Sequence, residues 1–166
     1  MELLIVRHAI AYPRDAKRWP DDAERPLTAE GIRRARQAAA GLKRLVERPD
    51  VVLTSPLIRA RDTAKVFSQA ARWPEAVECD ALAPQGQLDD VLEAVRRQGR
   101  KAECVAVVGH QPDLGRLLAH CLRGNARAEA FELKKSAVAC LQFEGLTSAG
   151  RAMLTALFPP RALRRL

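Results

Sequence analysis

Short apolar runs separated by longer amphipathic stretches set the narrowest limit on this chain. That alternation suits strands and helices taking turns around a parallel sheet. The clearest run, Cys104-Val105-Ala106-Val107-Val108, is apolar at every position, as a strand covered on both faces must be. Leu3 to Val6 and Val51 to Thr54 predict two more buried strands, and shorter signals predict strands around Val77 to Cys79 and from Ser136 to Phe143.

The intervening stretches carry helical spacing. From Thr28, an N-cap with Glu30 in the first turn behind it, apolar or small residues recur at Ile32, Ala35, Ala39, Leu42 and Val46 until Pro49. Pro56 suits the first turn of a second helix carrying Arg59, Thr63 and Phe67 and ending at Trp73-Pro74. A third helix runs from Leu88 to Arg97, with Asp89 and Asp90 at its positive end and Gly99 closing it. Pro112-Asp113 opens a fourth, with Leu114, Leu117, Leu118 and Cys121 on one face. There is no repeat, low-complexity segment or linker, so 166 residues predict one domain over 1–166. The expected fold is an α/β three-layer sandwich, a mostly parallel central sheet with helices on both faces.

Three polar clusters stand immediately after three of these strands: Arg7-His8, then Ser55 with Arg59, then Gly109-His110. In open parallel sheets the carboxyl ends of the strands share one edge, where loops converge and ligands bind. Two histidines and two arginines distant in sequence are therefore expected to meet. His120, between leucines on a helix, reads instead as a packed or surface residue, and Arg61 as a helix-face residue paired with a nearby acid.

Charge narrows the partner. Lysine and arginine outnumber the acids by 28 to 20, a net charge of +8, which favours an anion. Aromatic residues make up 4% of the chain and the basic residues are scattered, so a nucleic-acid surface is not expected. The four cysteines form no Cys-x-x-Cys pair and read as reduced core residues, with no cysteine and histidine cluster at metal-ligand spacing. The start of the chain lacks the basic head and long apolar stretch of a signal peptide, and no run is long enough to span a bilayer. A cytoplasmic protein, monomeric and not bound to membranes, is the expectation.

Arg7-His8, Ser55-Pro56-Leu57-Ile58-Arg59-Ala60-Arg61-Asp62-Thr63-Ala64 and Val108-Gly109-His110-Gln111-Pro112, in that order, resemble the three signatures of the histidine phosphatase (phosphoglycerate mutase-like) superfamily. The short length, Arg25-Pro26-Leu27-Thr28 and the ending through Phe158-Pro159-Pro160 are most similar to its phosphohistidine phosphatase SixA branch. One departure is Ala9, where the superfamily carries glycine after its histidine. The resemblance implies that His8 is a nucleophile forming a covalent phosphohistidine, with Arg7, Arg59 and His110, the last protonated, on the phosphoryl group. It also implies substrate contacts from Arg25 and Ser55, although Ser55 equally suits a helix start. These roles agree with the chemistry. A neutral imidazole is a competent nucleophile, and a guanidinium fork matches phosphate geometry. Because the arginines and His110 supply the positive charge, no metal and no other cofactor is expected.

Many superfamily members carry a glutamate after the third strand as general acid, yet Asp80-Ala81-Leu82-Ala83-Pro84-Gln85-Gly86 has none. That points to a leaving group needing less help, as in a phosphoramidate, and the short chain leaves no room for a lid. The expected substrate is phosphohistidine on a protein, of the histidine phosphotransfer type. The alternatives are a broad small-molecule phosphomonoesterase of the same fold, with Asp22 as its acid, and a non-catalytic phosphate- or nucleic-acid-binding module.

Overall fold

The computed structural model describes residues 1–125 and 131–166. Among these residues six strands form one sheet: β1 (Glu2–Arg7), β2 (Val51–Thr54), β3 (Ala76–Glu78), β4 (Cys104–Gly109), β5 (Val138–Phe143) and β6 (Ala152–Phe158). Five α-helices among the described residues accompany them: α1 (Ala29–Leu42), α2 (Ile58–Ala71), α3 (Leu88–Gln98), α4 (Asp113–Arg123) and the short α5 (Pro160–Leu163). The strand order is β3-β2-β4-β1-β5-β6, with β3, β2, β4 and β1 parallel and β5 antiparallel to both β1 and β6. The mostly parallel α/β sandwich is what the apolar runs predict.

The period of two along each strand divides the core between two layers. Leu3, Ile5, Val105, Val107, Ala139 and Leu141 face a cluster with α3 and α4, centred on Leu92, Leu114 and Leu118. Leu4, Val6, Ala106, Val108, Val138 and Cys140 face the other side, where Ala38, Ala39 and Leu42 of α1, Phe67 of α2 and Leu163 of α5 meet them. Both central strands are thus buried on both faces, as their uninterrupted apolar runs require. Cys104, Cys121 and Cys140 are buried thiols and Cys79 is half-buried, all of them free. No helix among the described residues is long and apolar enough to cross a membrane.

Local chemistry explains the differences from the sequence expectation. Thr28 does cap α1, its hydroxyl accepting the Gly31 N–H at 2.9 Å, but the helix stops at Leu42 instead of running past Val46. There α5 crosses it so closely that a Cβ on Gly41 would lie 1.9 Å from the Leu163 carbonyl oxygen, and the following residues turn away. Pro56 precedes α2 instead of occupying its first turn, because Leu57 is the extended N-cap residue. The expected strand from Ser136 begins at Val138, since buried Ser136 sits at φ +64 in a turn. Strand β6 had no expectation of its own. Its Met153, Leu154 and Leu157 are exposed, which blurs any alternation, and Thr155 forms a bulge against β5 with its hydroxyl donating to the Cys140 carbonyl at 3.1 Å.

Candidate active site

Sheet register alone brings the three polar clusters together. Arg7 is the β-partner of Gly109 across β1 and β4, so His8 and His110 each begin the loop after adjacent strands. The His8 N–H donates to the Gly109 carbonyl at 3.0 Å, and the Ser55 N–H donates to the Val108 carbonyl at 2.9 Å, extending the ladders one residue further. The two imidazoles end with ring centroids 5.0 Å apart, both nearly fully buried.

His8 is oriented through its own neighbour. Its Nδ1 lies 2.7 Å from the Ala9 carbonyl oxygen, an acceptor, so Nδ1 carries the proton and Nε2 keeps its lone pair. The Ala9 N–H in turn donates to Thr63 Oγ1 at 2.9 Å, and that hydroxyl donates to the Arg59 carbonyl at 2.7 Å. Thr63 therefore ties the histidine loop to the first turn of α2. Its methyl-bearing neighbour at position 9 is fully buried among Ala11, Leu27, Ala35 and Val66, where the side chain that replaces glycine is accommodated by small residues.

Two guanidinium groups are pinned from behind. Arg7 donates from NH1 to the Leu133 carbonyl at 2.6 Å. Arg59 donates from NH1 to the Asp22 carbonyl at 2.6 Å and from NH2 to Asp22 Oδ2 at 3.0 Å. Arg25 closes the same cluster, donating from Nε to Asp22 Oδ1 at 2.8 Å and from NH1 to the Tyr12 carbonyl at 2.7 Å. Buried Arg7 Nε, Arg59 Nε and His110 Nδ1 have no partner among the described residues.

Ser55 sits beneath His110 rather than on the open face. Its fully buried hydroxyl is 2.8 Å from His110 Nε2 and accepts the Leu57 N–H at 3.4 Å. The hydrogen bond to Nε2 fixes the His110 ring, with Nδ1 unpartnered among the described residues. Burial, the neighbouring His8 and the Arg59 charge push the His110 imidazole down to about 3, and the protonation expected of it is one that a facing phosphoryl group would induce. Burial likewise brings His8 to about 3, against the Ala9 hydrogen bond that favours the proton and with Arg59, Arg7 and Lys135 opposing it.

These two imidazoles make a stability prediction with a definite sign. Below their ordinary value of 6.5 the unfolded chain binds their protons and the folded chain does not, so stability falls as pH drops from 6.5 toward about 3. Each histidine contributes a slope of up to about 1.4 kcal/mol per pH unit. Denaturant titrations across that window are expected to show a shallower acid limb for His8→Asn with His110→Asn; an unchanged limb would refute the assignment.

Asp22 differs from the expectation that it could donate a proton. The Arg25 hydrogen bond, reinforced by Arg59 and Arg14, holds its carboxyl below the usual carboxylate range, and both oxygens are occupied by guanidinium groups. It is an orienting anion. Lys135 was not singled out at all, yet its charge acts on His8 and is itself lowered by burial and by Arg7 and Arg25. Nothing in a period-two or period-3.6 pattern marks such a turn residue, whereas Thr63, four residues after Arg59, could have been found from that spacing alone. His120 pairs with Asp89 at 2.9 Å and Arg61 with Glu78 at 2.9 Å, as their surface readings anticipated. No group of three metal-ligand side chains occurs among the described residues.

Known proteins resemble this chain in sequence and in fold. The family model described as histidine phosphatase superfamily (branch 1) matches residues 3–86, from β1 to the turn after β3. Phosphohistidine phosphatase SixA of Escherichia coli is 31% identical over 128 residues, 75% of this chain and 76% of that protein. An uncharacterized protein of Picosynechococcus sp. is 39% identical over 116 residues, 69% of each chain. The structure of the protein histidine phosphatase SixA complexed with tungstate superposes with a TM-score of 0.83 at 27% identity, covering 98% of this chain and 99% of that one.

Proposed function

Since the chain belongs to the histidine phosphatase superfamily, with the SixA branch as its similar relatives, we propose that it hydrolyses the N–P bond of phosphohistidine on a protein through a phosphorylated His8. The observation that carries this reading is the His8 ring itself. Its Nδ1 proton is held by the Ala9 carbonyl, leaving the Nε2 lone pair beside half-buried Arg7, buried Arg59 and His110.

His8 Nε2 attacks phosphorus and displaces the substrate's imidazole nitrogen. Because Nδ1 keeps its hydrogen bond to the Ala9 carbonyl, the phosphorylated ring carries a positive charge and departs in the second step as neutral imidazole, when water attacks. Arg7, Arg59 and His110 take the equatorial oxygens. Each buried polar group left unpaired costs roughly 1–3 kcal/mol, more when charged, and Arg7 Nε, Arg59 Nε and His110 Nδ1 stand unpaired in this cluster, which suits an anionic partner. A tetrahedral oxyanion, tungstate, occupies the SixA structure similar to this one, which supports the same use here. The negative charge of the phosphoryl group raises the proton affinity of His110, which takes up a proton from solvent. Asp22 and Thr63 hold Arg59 in place, Ser55 orients His110, and Arg25 reaches the substrate side of the cluster.

The substrate class follows from the missing acid. The 3₁₀ turn Asp80–Leu82 and the residues after it bring no glutamate, and Asp22 is committed to arginines. A phosphoramidate tolerates this far better than an alkyl ester. Phosphate release from a phosphohistidine-bearing protein domain is expected to exceed release from an alkyl phosphomonoester at equal concentration, without added metal. Faster turnover of the ester would replace this reading by a small-molecule phosphomonoesterase, and release from neither by a binding module.

A further inference from the structure

Aromatic side chains are scarce in this chain, and most of them serve the core. Phe67, Trp73 and Phe143 are buried, and Phe131 and Phe158 pack against the two main core clusters. Tyr12 and Trp19 instead stand in the loop between β1 and α1, their ring centroids 5.3 Å apart. The exposed Arg18 guanidinium lies over both, 4.7 Å from the tyrosine ring and 4.5 Å from the tryptophan ring. Such contacts hold an arginine in one place without neutralising it.

The fold seats this stack on the rim of the site. The Tyr12 N–H donates to the Pro26 carbonyl at 3.2 Å, and Ala11 bridges to Leu27, which joins the two ends of the loop. Arg25 donates from NH1 to the Tyr12 carbonyl at 2.7 Å and from Nε to Asp22, the residue that holds Arg59. Arg14, its side chain 82% exposed, comes within 3.9 Å of the same carboxylate. Inside the loop the Trp19 N–H donates to the Asp15 carbonyl at 2.8 Å, and Asp15 Oδ1 accepts the Lys17 and Arg18 N–H groups at 2.9 and 3.2 Å. Asp21 Oδ1 likewise accepts the Ala23 N–H at 2.8 Å. With Asp15, Asp21 and Asp22 turned to donors of the protein itself, the exposed cations Arg14, Lys17 and Arg18 outnumber the remaining acid of the segment, Glu24.

Resting on the reading of the substrate as phosphohistidine on a protein, we propose that the stack of Tyr12, Arg18 and Trp19, with Arg14 and Lys17 beside it, is the surface on which the substrate protein docks. The partner it fits presents carboxylates and apolar surface next to its phosphohistidine. His8 is only 7% exposed, so a histidine reaches it by protruding from its carrier, and the surface around that histidine then rests on the rim. Tyrosine, tryptophan and arginine carry most of the binding energy in protein interfaces, and an arginine already held in place loses less freedom when it binds. Free phosphohistidine has no flanking surface to offer. The loop therefore separates protein-borne phosphohistidine from free phosphohistidine, leaving the chemistry at His8 the same for both.

The test compares phosphate release from free phosphohistidine with release from a phosphohistidine-bearing domain that has acidic residues beside its histidine. Arg18→Glu is expected to raise KM for the domain about 30-fold, the scale of a dominant interface residue, with kcat unchanged. Lys17→Glu should raise it less. Both constants for free phosphohistidine should match wild type in each variant. Lys17 makes no side-chain contact among the described residues, so its variant reads the surface even where Arg18→Glu unseats the stack. Changing the domain's acids to amides should raise its KM for the wild type as well. An unchanged KM for the domain, or equal losses on both substrates in both variants, would overturn the proposal, and indifference to the amide changes would remove the acidic partner from it. A wild-type protein that releases phosphate from neither substrate would instead remove the phosphohistidine reading on which it rests.

Discussion

His8→Ala is expected to abolish the phosphorylated form of the protein and to lower phosphate release by on the order of 10⁴-fold or more. No neighbour can take over. His110 Nε2 is occupied by Ser55, and the thiols of Cys104, Cys121 and Cys140 are buried in the core and pushed up to about 12. Quench-flow trapping with intact-mass analysis would read both quantities, the wild type gaining one phosphoryl group on His8. The variant should fold, because its loss removes a buried imidazole whose charged form the site already disfavours. A melting transition at least as high as that of wild type, with activity gone, is the expected pair of results. Phosphate release at the wild-type rate would mean direct attack by water and would end the covalent mechanism.

The second large effect is expected at Arg59. Arg59→Lys should reduce kcat on the order of 10³-fold, the scale associated with a transition-state guanidinium, although it preserves the charge. Arg59 meets Asp22 twice, through the carbonyl and through Oδ2, and still has Nε unpaired. An ammonium on a flexible stem cannot fill those positions together. The change should also leave Asp22 Oδ2 with only the 3.4 Å contact from Arg25 NH2, so the Asp22 carboxyl should titrate at higher pH in carbon-detected NMR than in the wild type. A kcat near that of wild type would mean that charge alone suffices and that the fork geometry is incidental.

Much of this site is legible before any folding. Arg7, His8, Ser55, Arg59 and His110 could be named because each directly follows an apolar run, and a parallel sheet must deliver strand ends to one edge. The match of three ordered signatures to one superfamily named the chemistry. Helix limits were less legible. The end of α1 depends on where α5 crosses Gly41, a contact between residues separated by most of the chain. Likewise β6 carries exposed leucines and a methionine that give it no clean alternation, so only pairing with β5 defines it.

What the sequence determines by itself is the set of local, periodic features: which segments are strands, which faces are apolar, and which polar residues end them. The protonation states and the partners of the arginines come from the tertiary structure alone. Burial in a medium of low polarity removes the charge from His8 and His110, and the fold sets the Arg7 guanidinium on the carbonyl of Leu133, 126 residues further along the chain. Desolvation and long-range register depend on the whole packed molecule, and no window of sequence contains either.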